Sequence, residues 1–256
     1  MVLSFDKSVA AEYKSPAQQA RVMTESWVGS QVYCPSCGQG SLNKYPNNTP
    51  VGDFFCSKCS EQFELKAKHD TFGTKIVDGE YRTMLRRLRS SEVPNLFALN
   101  YDRTQGRVQN LFVIPSQFFV PEIIQRRKPL AHTARRAGWT GCNILFNRIP
   151  RAGRVSLVSN GIAVNKPTVL AAWKRTLFLR NQTHVEMRGW ALDVMRYLEK
   201  LKNSEFTLAD IYRFEQELQK IHPNNRHIKA KIRQQLQVLR DAGYLEFQGH
   251  GSYRVV

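Results

Sequence analysis

The chain has 256 residues, 42% of them hydrophobic and 11% aromatic, which suits a globular protein with a sizeable core and excludes a disordered one. No run approaches the roughly eighteen apolar residues of a membrane span, and no basic stretch followed by an apolar one opens the chain, so neither a membrane nor a secreted protein is expected. The formal charge of +17 points to a polyanion, with nucleic acid the commonest kind; a ribosome-associated role or plain solubility are the blander readings. The charge is uneven: residues 183–256 hold 12 Lys+Arg against 9 Asp+Glu, so most of the excess lies before them. Five cysteines, an odd number and mostly in Cys-x-x-Cys pairs, suggest metal ligation in a reducing compartment, and a cytoplasmic protein of prokaryotic type is expected.

In chain order, Ser15-Pro16 is a helix start. Ala20, Met23 and Trp27 follow at helical spacing, and Gly29-Ser30 should end the helix. Glu25 on it is either a surface charge or an extra metal-facing acid. Cys34, Cys37, Cys56 and Cys59 form two pairs with eighteen residues between them, the spacing of a treble-clef or ribbon zinc site. Four thiolates leave no open position, so the metal should be structural, and Gly38 lets the backbone turn beneath it. Cys142 stands alone as an ordinary buried thiol.

Residues 51–56 and 61–67 read as strands joined by the second cysteine pair. Glu64 and Lys66 project to one face about 6.7 Å apart, with Phe63, Leu65 and Ala67 on the other. A turn near residues 57–58 puts Asp53 opposite or diagonal to Glu64 on that face. Two carboxylates could share one Mg2+ with the lysine beside a bound water. The spacing alone is weak, and a solvated strand face with a salt bridge is the competing reading.

Asp78 should precede a helix with Tyr81, Met84, Leu85 and Leu88 inward and arginines elsewhere. Residues 95–101 and 108–114 read as strands joined by a turn. From 121 to 154 eight basic residues face one acid, Glu122, in a loop-rich stretch containing Arg135, Arg136 and an exposed-looking Trp139. Guanidinium groups for phosphate or guanine and an indole for an apolar contact suit a DNA duplex, unless Trp139 is core and the arginines are a solvated surface. Residues 155–182 close this region, and 181–184 should be a linker. Trp190, Val194, Leu198 and Leu201 then form a helical stripe. Thr207 to Asp210 has the form of a capping box opening a helix to Ile221, and residues 222–225 form a turn. Residues 226–241 form a third helix, and 244–256 a hairpin. That order is a winged helix, with Arg226, Lys229, Arg233 and Gln237 opposite the core stripe and Asn224, Asn225 and His227 at the helix start. Winged helices also bind proteins.

Tyr33-Cys-Pro-Ser-Cys-Gly38, Val51-Gly-Asp-Phe-Phe-Cys56, Phe63-Glu-Leu-Lys66, Ala131-His-Thr-Ala-Arg-Arg-Ala-Gly-Trp139 and residues 228–247, in this order, give the chain a resemblance to the DpnI family of methyl-directed (type IIM) restriction endonucleases, nearly end to end. The resemblance implies an α/β (α+β) PD-(D/E)xK nuclease domain with an embedded four-cysteine zinc site over residues 1–182 and a small winged-helix DNA-binding domain over 183–256. It also implies Mg2+-dependent cleavage of duplex GATC carrying N6-methyladenine, by a protein expected to be monomeric. On it, Asp53, Glu64 and Lys66 are catalytic, Asp53, Glu64 and the Leu65 carbonyl hold Mg2+, and Cys34, Cys37, Cys56 and Cys59 hold Zn2+. Lys66 would help deprotonate a water, its pKa lowered by the cation. One departure is visible: Gly52 stands where the superfamily pattern has proline. The alternative is a zinc-ribbon winged-helix transcriptional regulator without catalytic activity, which leaves the Asp53/Glu64/Lys66 face unexplained.

Overall fold

The computed structural model describes residues 1–46, 52–90, 92–182, 185–201 and 203–256. In chain order its helices and strands are α1 (Pro16–Gln31), β1 (Asn43–Lys44), β2 (Phe54–Phe55), β3 (Gln62–Lys68), β4 (Ile76–Glu80), α2 (Tyr81–Ser90), β5 (Asn95–Asp102), β6 (Arg107–Ile114), β7 (Ile124–Arg126), β8 (Gly141–Ile144), β9 (Val155–Ser159), β10 (Ile162–Ala163) and α3 (Lys166–Thr176). They continue with α4 (Val185–Lys200), β11 (Glu205–Thr207), α5 (Leu208–Tyr212), α6 (Glu215–Ile221), α7 (Ile228–Asp241), β12 (Leu245–Gly249) and β13 (Ser252–Val255). No helix among them is long and apolar enough to cross a membrane.

Among the described residues seven strands make one sheet in the order β1-β2-β3-β5-β6-β9-β10, with β3 and β5 parallel and the other neighbours antiparallel. β5 is buried almost throughout because both its faces are covered. Phe97, Leu99 and Tyr101 share a core with Trp27 and Val28 of α1 and Val169 and Trp173 of α3. Leu96 and Ala98 point the other way, into a core with α2 and a second sheet, β4-β8-β7. Period-two alternation thus divides the molecule into layers. On β3 the same alternation puts Phe63 and Leu65 on the α1/α3 side, Phe63 stacking on Phe97 at 4.7 Å, and leaves Glu64 and Lys66 facing the second sheet.

Several sequence-based expectations shift. α1 runs on to Gln31, since Gly29 lies against the Phe54 ring and has no break to make. Val51 lies outside the described residues, and of 51–56 only Phe54–Phe55 is strand, although the Asp53 backbone still bonds to Phe63 and Tyr45 on either side. Asp78 precedes α2 as expected, but it lies within β4, which leads into that helix. Residues 155–182 contain α3, whose start is capped by the Asn165 side chain, accepting from Thr168 N at 2.9 Å. Of the expected linker, residues 183–184 lie outside the described residues.

In the last quarter, the Thr207/Asp210 capping box is formed. The expected helix to Ile221 is two short ones, α5 and α6, parted at Arg213-Phe214. α7 starts at Ile228, so Arg226 and His227 precede it. α4 is buried on nearly every side rather than along one stripe, because one continuous core joins it to α7 and to Ile123, Ile124 and Phe118 of the earlier part. At that junction the Glu122 carboxylate lies against Gly189, where a Cβ would meet it at 3.4 Å. Burial raises its pKa, and Oε2 has no hydrogen-bond partner.

Candidate functional site

Both cysteine pairs fold into the same turn. Gly38 N donates to Cys34 O and Ser60 N to Cys56 O, each at 2.8 Å, and each turn needs a left-handed residue four positions past its first cysteine. Gly38 (φ +76°) takes this conformation freely; Ser60 (φ +60°) takes it at a cost, so the second turn is held by what surrounds it. The result brings the four sulfurs within 4.8 Å of one another, with Cys34–Cys59 and Cys37–Cys56 each at 3.5 Å. A Zn–S bond of about 2.3 Å requires a tetrahedral edge of about 3.8 Å, so this donor set fits a closed zinc centre. Cys34 and Cys56 are buried, and burial pushes the Cys34 thiol up; a divalent cation would supply the charge that a thiolate there lacks. Among the described residues this is the one group of three or more His, Cys, Asp or Glu within such reach. Glu25 pairs with Arg21 and, at 2.7 Å, with Lys44, with its side chain only 11% exposed, so it is a part-buried ion pair rather than a surface charge.

The second turn also sets the register of β2 on β3, Phe54 against Phe63, and so delivers Asp53 beside Glu64. Asp53 is fixed at three points. Its N–H donates to Phe63 O at 2.9 Å, its carbonyl accepts from Tyr45 N at 2.9 Å, and Oδ2 accepts from Leu65 N at 2.7 Å. A residue's N–H and C=O leave a strand on the same edge, so the Leu65 carbonyl faces the edge where Asp53 stands. Asp53, Glu64 and the Leu65 carbonyl are therefore neighbours, a small oxygen set suited to a cation that keeps several waters.

Glu64 and Lys66 share one face as expected, Oε1 to Nζ at 2.5 Å. The site also holds a residue the sequence reading left out: Asp78, in the other sheet, places Oδ1 2.8 Å from Lys66 Nζ. Burial raises the Glu64 carboxyl, Lys66 opposing and Asp78 and Asp53 adding. Burial also works against the Lys66 ammonium, but Glu64 and Asp78 outweigh it and hold its pKa above the ordinary lysine range. Two carboxylates flanking one ammonium account for that rise.

Gly52 has φ +155°, and a Cβ there would stand 3.0 Å from the Phe63 carbonyl. Proline, locked near φ −65°, cannot take this conformation. Gly52→Pro, which puts there the proline of the pattern the resemblance implies, should cost about 1–3 kcal/mol in strain and unseat Asp53. A lowered melting temperature is expected; a variant as stable as the parent would contradict it.

The basic stretch is a protruding loop between β7 and β8, closed at its base by Arg127 N to Gly141 O and by Leu130 and Trp139 across the stem. Arg135 and Arg136 are exposed on it. Trp139 is neither free nor core: its ring lies over Gly141, 2.9 Å from where a Cβ would be, and walls a cavity of about 270 Å³ with Tyr81 and Arg126. Tyr81 is a second site residue missed from sequence, where it read as a core position.

Around α7, Asn224, Arg226, His227, Arg233 and Gln237 are exposed. Lys229 is exposed too but leans back, 3.4 Å from Glu215 and over the Tyr212 ring. Asn225 serves the turn, its Oδ1 accepting from His227 N at 2.7 Å. His222, expected as a mere turn residue, stacks on Trp190 at 3.7 Å with Nε2 2.9 Å from Asp193 Oδ2, and so pins the loop that carries these groups.

Comparison with protein-family models gives two matches: the DpnI model, described as the Dam-replacing family, over residues 1–182, and its C-terminal model, the Dam-replacing HTH domain, over residues 186–255. With nearly its whole length covered in this order, the chain belongs to the DpnI (Dam-replacing) family of methyl-dependent restriction endonucleases.

Proposed function

We propose that this protein is a Mg2+-dependent type IIM endonuclease that hydrolyses both strands of duplex DNA at GATC sites carrying N6-methyladenine. The observation that carries the reading is the junction of Asp53, Glu64 and Lys66 at one end of the β2–β3 pair, the arrangement of a PD-(D/E)xK nuclease. On this reading residues 1–182 are the nuclease domain and 183–256 the winged-helix domain, and the protein works as a monomer in the cytoplasm.

Asp53, Glu64 and the Leu65 carbonyl would hold Mg2+. When bound, that ion would polarise a phosphate oxygen and stabilise the leaving 3′-oxygen. The Leu65 N–H orients the Asp53 carboxylate by donating to its Oδ2. Lys66 orients the attacking water against phosphorus, and the products carry 5′-phosphate and 3′-hydroxyl ends. Cys34, Cys37, Cys56 and Cys59 hold Zn2+ and do no chemistry. Arg135 and Arg136 contact the duplex from the loop, and Asn224, Asn225, Arg226, His227, Lys229 and Arg233 from the winged helix.

One buried methyl is worth about 0.8 kcal/mol, only about fourfold in affinity. Strict dependence on methylation therefore needs more than one reading of the mark, or a polar penalty on the bare base. Trp139 is one wall of the methyl-reading surface. Trp139→Ala should lower the ratio of methylated to unmethylated cleavage severalfold, measured on matched duplexes; an unchanged ratio would make Trp139 a packing residue.

Digestion of the same plasmid from adenine-methylating and non-methylating hosts, with Mg2+, tests the whole reading. Fragmentation of the methylated plasmid alone is expected. Two intact plasmids would leave a DNA-binding protein without this activity.

A further inference from the structure

Lys66 belongs to the large sheet, yet one of its two carboxylate partners comes from the small one. Asp78 lies on β4 with its side chain 7% exposed and Oδ1 2.8 Å from Lys66 Nζ. The strand is bulged at this point: Asp78 pairs with Cys142 and Glu80 with Gly141, which leaves Gly79 as the extra residue. A bulge bends its strand and re-aims side chains. Here it parts the work of two acids that a regular strand would present alike. Glu80 accepts from Arg82 N at 2.9 Å and Thr83 N at 2.6 Å, at the start of α2, while Asp78 is turned to Lys66.

An ammonium has three donors. Glu64 and Asp78 take two, which fixes Nζ at a point and leaves the third for a water or a phosphate oxygen. If Glu64 turns to a cation during the reaction, Asp78 is the acceptor that stays. β8, the partner of β4 at the bulge, also carries Gly141 beneath the Trp139 ring and one end of the basic loop.

We infer that Asp78 is a positioning residue for Lys66: it holds the ammonium in place and ties the setting of that lysine to the sheet bearing the Arg135–Trp139 loop. The inference rests on the nuclease reading above. It places Asp78 outside the cation's own ligands and gives the small sheet a part in cleavage as well as in contact with DNA.

The test uses the full-length, zinc-loaded protein and its D78N and D78E variants. Single-turnover cleavage of a methylated duplex is followed across a Mg2+ titration, beside duplex affinity and thermal melting. D78N should cut about 10- to 100-fold more slowly at saturating Mg2+, the cost of a misplaced group. Its duplex affinity, half-maximal Mg2+ concentration and melting temperature should match the parent, and D78E should recover part of the rate. D78N cutting at the parental rate would overturn the assignment. So would a rate restored by excess Mg2+, which would make Asp78 a cation ligand, or a collapse in melting temperature, which would make it a residue of the fold. A parent chain that cuts no methylated duplex would sink the nuclease reading and this assignment with it; a parent that cuts beside an unimpaired D78N sinks this assignment alone.

Discussion

Lys66→Ala should cut methylated duplex about 10²- to 10⁴-fold more slowly than the parent, the range for losing a positioned proton-transfer group. Duplex affinity should change far less. The contacts proposed to grip DNA lie on the basic loop and the winged helix, whereas Lys66 lies between the sheets with only 27% of its side chain exposed. The substitution also removes the cation that Glu64 and Asp78 share. Two carboxylates then face each other at close range, so the variant should hold divalent cation at least as well as the parent. Slow cleavage at undiminished cation affinity separates loss of the lysine from loss of the metal. The measurement is a single-turnover time course beside a binding titration with Ca2+. Retained cutting would remove Lys66 from the chemistry.

Removing zinc is the second large effect. Apparent binding free energies of about 10–16 kcal/mol are typical of structural zinc in small peptides, comparable to or larger than the stability of a whole domain. Here the loss is partly absorbed, because the core that Cys34 and Cys56 join also holds Phe63 stacked on Phe97 and packed by Trp173. At about 2–4 °C per kcal/mol for a domain of this size, even a few kcal/mol lowers the melting temperature by about 10 °C or more. Cys56→Ser should show this most clearly, since Cys56 is fully buried and its turn sets the β2–β3 register that seats Asp53. The expected result is one zinc per reduced chain, and a chelated or Cys56→Ser protein that melts early and no longer cuts. A reduced chain free of zinc, or unchanged melting after chelation, would contradict the role given to the four cysteines.

What could be read without coordinates was local. Two Cys-x2-Cys pairs declare a tetrahedral site because each pair closes its own turn. The alternation Phe63, Glu64, Leu65, Lys66 declares one charged face because a strand has period two. The capping box at Thr207 and the glycine after α7 lie within a few residues of the bonds they make. What escaped was set by distant partners. Asp78 meets Lys66 only because two sheets close on each other, and its neighbour in register, Cys142, is far along the chain. Tyr81 lines a cavity with Trp139 for the same reason. The all-round burial of α4 follows from a core shared with Ile123 and Ile124, which no stripe within the helix announces. Two signals were legible and passed over: Asn165-Lys-Pro before α3, a sound helix start, and the acids two apart in Asp78-Gly-Glu80 next to an apolar strand start. Gly52 is different again. Its difference from the superfamily pattern was visible, but its reason, a backbone angle closed to proline, was not.

The most direct measurement is single-turnover cleavage of two short duplexes that differ only in the N6-methyl groups of one GATC site, with and without Mg2+, the product ends being mapped. The proposed function predicts that the methylated duplex alone is cut, in both strands, only with Mg2+, leaving 5′-phosphate and 3′-hydroxyl ends. Equal cutting of both duplexes, cutting without a divalent cation, or no cutting of either would contradict it.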